Sequence, residues 1–167
     1  MIFVDESQKM TEHMREVLAQ SAAHLEGFTV TGAILFGSIA RGTQTKDSDA
    51  DLLVVAEGVH PRRNRRGDQI SQIKSLFPKV PLDVLLFTRD EVVSNFKNHN
   101  PLFLDIGEEG IIILDQGDFL KDLILETKTD IQARGIRRFG DGWIFPVRKG
   151  VAVPLSKVTN KDFAEGM

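Results

Sequence analysis

The chain has no cysteine and no tyrosine, and only one tryptophan. It also has no apolar run near the ~20 residues that span a bilayer as a helix. Without thiols there is no disulfide, no thiolate zinc site and no cysteine nucleophile; such a composition suits a reducing compartment. Without tyrosine the chain cannot carry a modification on a tyrosine of its own. The opening residues, MIFVDESQKM, lack a basic segment followed by a long apolar one, so no signal peptide is expected. These absences predict a soluble, cytoplasmic protein that does not engage a membrane. A strong charge of one sign is missing too. The formal net charge is −3, so nucleic acid is not a favoured partner and any contact with it needs a local basic patch.

What remains is ordinary globular material: 167 residues, 41% hydrophobic and 27% charged. That is enough for one domain with a real core, or one domain with a small appendage. Met10, Met14, Val17, Leu18, Ser21, Ala22 and Leu25 follow helical spacing, with Ser7 as cap and Gly27 as stop. Phe28–Phe36, Ala50–Ala56 and Pro81–Thr88 read as strands. Arg62–Phe77 reads as a helix after Pro61, and Thr88 with Glu91 forms a capping box for the next helix. Asn100–Gly110 reads as a short helix, followed by the apolar stretch IIILD (Ile111–Asp115) and a long helix from Asp118 to about Gln132. The first two strands are nearly continuous apolar runs, which predicts an α/β or α+β domain whose sheet is covered by helices. This places a domain at residues 1–132 and an appendage at 133–167, where WIFPV and VAVPL are expected to pair as a hairpin around RKG.

The unusual feature lies in LFGSIARGTQTKDSDADLLVV, Leu35 to Val55. Alternate residues of a strand share a face, so Asp49 and Asp51 point the same way. Two like charges that close destabilise the fold unless something neutralises them, and hard Mg²⁺ prefers carboxylate oxygens together with phosphate and water. A third carboxylate, Asp83, is embedded in VPLDVLLF on the next strand. Upstream, Gly37 lets a phosphate approach the backbone, the N–H groups of a helix start attract anions, and Ser38 adds a hydroxyl donor. Phosphate cradle and clustered carboxylates are the parts of metal-assisted phosphoryl or nucleotidyl transfer.

Gly37-Ser38, ten residues, then Asp49-x-Asp51 resembles the signature of the DNA polymerase beta-type nucleotidyltransferase superfamily. The fuller GSIARG…SDADLLV is similar to its small stand-alone members, the minimal nucleotidyltransferases. The close likeness runs from Phe28 to Thr88. It implies a nucleotidyltransferase fold, a small mixed sheet flanked by helices. It implies that Asp49, Asp51 and Asp83 are catalytic and bind two Mg²⁺ ions, with Asp83 also accepting the acceptor's proton. Gly37 and Ser38 would hold the β and γ phosphates of a nucleoside triphosphate, ATP above all. A nucleoside monophosphate would pass to a hydroxyl of a protein or small molecule as pyrophosphate leaves. Many members of the family stand beside a helical HEPN-type protein, and some act as antitoxins, either by adenylylating that partner or by binding it.

Several residues have two readings. Arg41 either reaches the triphosphate or pins its loop through a carboxylate. Asp83 could be a plain edge-strand carboxylate. Arg62, Arg63, Arg65 and Arg66 form either a solvated helix face or a patch for phosphate, RNA or an acidic partner; Arg137, Arg138, Arg148 and Lys149 invite the same pair of readings. Trp143 is expected to anchor the tail hairpin, Ser48 to bond backbone, Gly42 to adopt a positive φ, and the four histidines to be structural.

Overall fold

In the computed structural model, which describes residues 6–21, 25–146 and 152–154, the two most continuous apolar runs lie side by side. β1 (Thr29–Phe36) and β2 (Ala50–Glu57) pair antiparallel from Thr29↔Glu57 to Phe36↔Asp51, with an irregularity between Val30 and Gly32. β3 (Leu82–Phe87) runs parallel to β2, and β4 (Ile111–Asp115) antiparallel to β1, giving a mixed sheet of order β3-β2-β1-β4. β1 and β2 are therefore central and covered on both faces, which is why they lack a polar alternation.

On one face, Ala33, Leu35, Leu52 and Val54 pack against Met14 and Leu18 of α1 (Glu6–Ser21) and Ile73 of α3 (Gly67–Ser75). On the other, Ile34, Leu53 and Val55 meet α4 (Arg89–Lys97), α5 (Pro101–Glu109) and α6 (Phe119–Ala133) through Phe96, Phe103 and Leu120. The rings of Phe96 and Phe103 meet edge to face, 5.2 Å between centroids. Each such fully buried side chain contributes about 1.5–3 kcal/mol of transfer free energy, before the entropy of ordering it.

Local chemistry sets the helix starts. The Thr88 hydroxyl accepts the Glu91 N–H at 3.1 Å and the Glu91 carboxylate accepts the Thr88 N–H at 2.9 Å, the capping box expected at α4. Asn100 Oδ1 accepts from the Leu102 N–H at 3.1 Å ahead of Pro101 in α5. Ser7 is not a cap: it lies within α1, buried, its carbonyl accepting the Thr11 hydroxyl at 2.7 Å. Part of the helix expected to run to Leu25, residues 22–24, lies outside the described residues.

The arginine run also departs from expectation. Arg63–Arg65 form one 3-10 turn, and α3 starts only at Gly67. The cause is Arg66, whose side chain is 2% exposed and donates to the His60 carbonyl at 2.7 Å, the Leu86 carbonyl at 3.0 Å and Glu91 Oε1 at 2.8 Å. Turning it inward breaks the helical path that the sequence suggests.

Past α6, β5 (Arg137–Phe139) and β6 (Gly142–Pro146) form a hairpin in addition to the expected one, and β6 also pairs with β7 (Ala152–Pro154), the expected WIFPV–VAVPL pairing. The RKG turn, with Arg148 and Lys149, and the tail from 155 lie outside the described residues. Trp143 and Phe145 of β6, with Ile136, bury against Leu104 of α5 and Ile131 of α6, so Trp143 is an anchor. No described helix is long and apolar enough to cross a membrane.

Candidate active site

β1 ends, and β2 and β3 begin, at the same end of the sheet, because β1 is antiparallel to β2 and β2 is parallel to β3. The motif residues gather there. Phe36, the last residue of β1, pairs with Asp51, and Asp51 pairs in turn with Asp83. Strand alternation puts Leu52 and Leu82 into the core on the α1/α3 side, leaving Asp51 and Asp83 together on the opposite face. Asp49 precedes β2 by one residue and is exposed. β3 is an edge strand, as the plain reading of Asp83 requires, yet its register sets this carboxylate directly beside Asp51.

Gly37 opens α2 (Gly37–Arg41), a five-residue helix, with φ +78. A Cβ at Gly37 would overlap the Asp51 carboxylate. The glycine therefore does two things: it adopts a backbone angle that L side chains rarely take, and it lets Asp51 lie flat against the chain. The short helix is held by Ile39, buried in the core, and by Gly42, whose φ of +74 closes it while its N–H donates to the Ile39 carbonyl at 3.2 Å. Ser38 is half-buried at the first turn, its carbonyl accepting the Thr43 N–H at 2.9 Å. In the loop that follows, Ser48 Oγ accepts the Thr45 N–H at 2.8 Å, the backbone role expected of it.

The electrostatics follow from this crowding. Burial, then the charges of Asp83 and of Asp49, push the Asp51 carboxyl above its ordinary value, while Arg41 opposes them. Asp49 and Asp83 are thus each within electrostatic reach of Asp51, and none of the ion pairs among the described residues includes any of the three. They are not already drawn into a cage: among the described residues, no group of three His, Cys, Asp or Glu side chains has converged as a metal site. As a donor set, hard carboxylate oxygens at the end of one sheet fit a divalent ion of the Mg²⁺ type.

Of the remaining candidates, Arg41 lies near this site and the others do not. Arg41 pairs with Glu109, Nη1 to Oε2 3.1 Å, the pin that was one of its two readings. Arg62, Arg63 and Arg65 lie beyond the far end of β2, and Arg63 sits 4.8 Å over the ring of Phe87, the last residue of β3. They are thus at the opposite end of the sheet from Asp51. Three of the four histidines are described. His13 packs edge-on to Phe77, His60 Nδ1 accepts the Arg62 N–H at 3.0 Å, and His99 is buried 2.7 Å from Asp130. Glu109 was not among the expected residues. Its partner Arg41 is 68 positions away in sequence, and no local pattern marks such a pair.

The family model described as "Nucleotidyltransferase domain" matches residues 15–112. A chain of Methanocaldococcus jannaschii named "Putative protein adenylyltransferase MJ1305" is 29% identical over 126 residues, 75% of this chain and 86% of that one. Among solved structures, a toxin–antitoxin crystallised with AMP-PNP aligns with a TM-score of 0.43 at 16% identity, over 71% of this chain and 87% of the other. A variant of the toxin–antitoxin MntA-HpeT aligns with a TM-score of 0.42 at 14% identity, over 74% and 87%.

Proposed function

Because the chain belongs to the nucleotidyltransferase-domain family and is a nucleotidyltransferase, we propose that it transfers AMP from ATP to a hydroxyl of a partner protein. The observation that carries this reading is one juxtaposition: the Gly37 backbone lies against Asp51, and Asp51 is in register with Asp83. A phosphate-accepting turn and a carboxylate pair thereby share one end of the sheet. The name of the M. jannaschii relative points to a protein as acceptor. Residues 1–132 form the transferase domain in this reading and 133–167 its appendage. The setting is the cytoplasm, where ATP and Mg²⁺ are at hand.

Ser38 Oγ and the backbone N–H groups of the Gly37–Ser38 turn donate to the β and γ phosphates. Arg41 adds a guanidinium to the same charge. Asp83, exposed at the strand edge, accepts the proton of the incoming hydroxyl. The acceptor oxygen bonds to the α phosphorus as the bond from that phosphorus to the bridging oxygen breaks, and pyrophosphate leaves. Asp49, Asp51 and Asp83 would hold the two Mg²⁺ ions. When bound, these supply neutralisation of the triphosphate charge and a lowered pKa for the attacking hydroxyl.

The partner in this reading is an HEPN-type helical protein. The chain has no tyrosine, so a tyrosine acceptor would be the partner's. Co-incubation with such a protein, α-labelled ATP and Mg²⁺ should label the partner. Asp51→Asn should reduce labelling at least about a hundredfold, the several kcal/mol of charge stabilisation at stake. An antitoxin acting by adenylylation loses neutralisation of the partner in the same variant. Neutralisation that survives in Asp51→Asn would transfer the function to direct binding.

A further inference from the structure

A line of charged and polar groups runs from the Gly37–Ser38 turn to the C-terminal hairpin. Arg41, the last residue of α2, places Nη1 3.1 Å from Glu109 Oε2 at the end of α5. The other oxygen, Oε1, lies 3.2 Å from Arg138 Nη1 on β5. That nitrogen is also 3.3 Å from Asp105 Oδ1, which accepts the Trp143 indole N–H at 2.9 Å. The contacts of Arg138 Nη1 are ion pairs rather than aligned hydrogen bonds. The reaction described above uses none of Glu109, Arg138 and Asp105. Asp105 serves the buried Trp143 N–H, but attachment of the hairpin does not require Glu109 and Arg138, since Trp143, Phe145 and Ile136 already hold it to α5 and α6 through apolar burial. Partly exposed ion pairs contribute little to stability on their own.

We infer that Glu109 is a positioning residue that aims Arg41 at the triphosphate, and that Arg138 of the hairpin holds Glu109 in place to do so. The inference rests on the nucleotide reading of the Gly37–Ser38 turn. An arginine has five N–H donors in a rigid fork. The pair with Glu109 engages Nη1, and among the described residues the Arg41 side chain makes no other hydrogen bond, so Nε and Nη2 remain for phosphate oxygens. The Arg41 side chain is 44% exposed. Unsupported, it would sample many rotamers and be ordered only on binding, which weakens binding. Glu109 removes part of that freedom in advance. One carboxylate shared between two guanidinium groups neutralises neither fully, so Arg41 keeps its attraction for phosphate. Arg138, gripping the opposite oxygen, fixes the direction in which Glu109 presents the one that Arg41 meets. The hairpin thus reaches the nucleotide site without touching it.

The test measures binding of each of the four common nucleoside triphosphates with Mg²⁺ by calorimetry, and transfer kinetics with the tightest. Glu109→Gln should weaken binding and raise KM by about threefold to fivefold, the size of one lost partly exposed charge interaction, with a much smaller change in kcat. Glu109→Asp, which keeps the charge, should recover part of the loss. Arg138→Gln should shift KM in the same direction but less. In an Arg41→Met background, neither substitution should shift binding further, because both act through Arg41. Unchanged affinity in Glu109→Gln, tighter binding, or a full additional loss in the Arg41→Met background overturns the inference while leaving the nucleotide reading standing. A wild type that binds none of the four nucleotides overturns the nucleotide reading itself, and the inference with it.

Discussion

At the scale of single residues, Gly37 and Gly42 make an informative pair. Both have positive φ, and alanine at either costs about 1 kcal/mol of backbone strain. Only Gly37 faces the Asp51 carboxylate; a Cβ at Gly42 meets nothing within 4 Å. Gly37→Ala should therefore abolish transfer, whereas Gly42→Ala should lower the melting temperature slightly and keep transfer within a few-fold. Equal losses in both would show that backbone angle alone matters at this turn. Asp51 makes a second prediction. Its carboxyl is raised by burial and by its two aspartate neighbours. A group whose folded-state pKa exceeds its unfolded value weakens the fold above that pKa, and the cost disappears as pH falls below the unfolded value. Asp51→Asn should thus raise the melting temperature in Mg²⁺-free buffer at neutral pH. Added Mg²⁺ should raise it in wild type and not in the variant. A lower melting temperature for Asp51→Asn without Mg²⁺ would contradict the crowding of these carboxylates. The sequence showed that Gly37 permits close approach; it could not show that the first group to approach is a side chain from fourteen residues on.

At the scale of elements, the start of α4 joins a motif legible in sequence to one that was not. Thr88 and Glu91 are three residues apart, and a capping box depends only on that spacing. Arg66 completes it from another part of the chain, with further bonds to His60 and Leu86, and its run of neighbours reads as a solvated face until the fold brings those acceptors together. Burial alone would raise the Glu91 carboxyl. The Thr88 backbone N–H, the Arg66 guanidinium and the Thr88 side chain outweigh it and hold the carboxyl below its ordinary value. For a depressed acid the sign reverses: its stabilisation is present above the unfolded pKa and is lost as pH falls through the folded one. Urea unfolding from pH 7 down to pH 3 should show stability falling below the ordinary glutamate value of 4.5. In Arg66→Met that fall should be shallower. The same substitution should cost about 3 kcal/mol at pH 7, because it strands buried acceptors and a carboxylate. A loss below about 0.5 kcal/mol, the range of ordinary surface changes, would make Arg66 a solvated residue after all.

At the scale of the whole molecule, strand alternation puts Asp49 and Asp51 on one side of the chain as a sequence-based expectation, but strand order is set by packing between distant segments. That β3 is an edge, that it runs parallel to β2, and that Asp83 falls opposite Asp51 are consequences of that order. The same limit hid the β5–β6 hairpin turn and the path from Arg138 to Arg41, whose partners share no local pattern. For the assembled molecule, the reaction proposed at the end of the sheet where these aspartates meet the Gly37–Ser38 turn is nucleotidyl rather than phosphoryl transfer. ATP labelled separately at the α and γ phosphates, incubated with the protein, Mg²⁺ and a cell lysate, tests it most directly. Nucleotidyl transfer at this site gives α label on an acceptor, γ label only in released pyrophosphate, and neither product with Asp51→Asn. Transfer of the γ label to the acceptor, or α labelling at the wild-type level by Asp51→Asn, would contradict it.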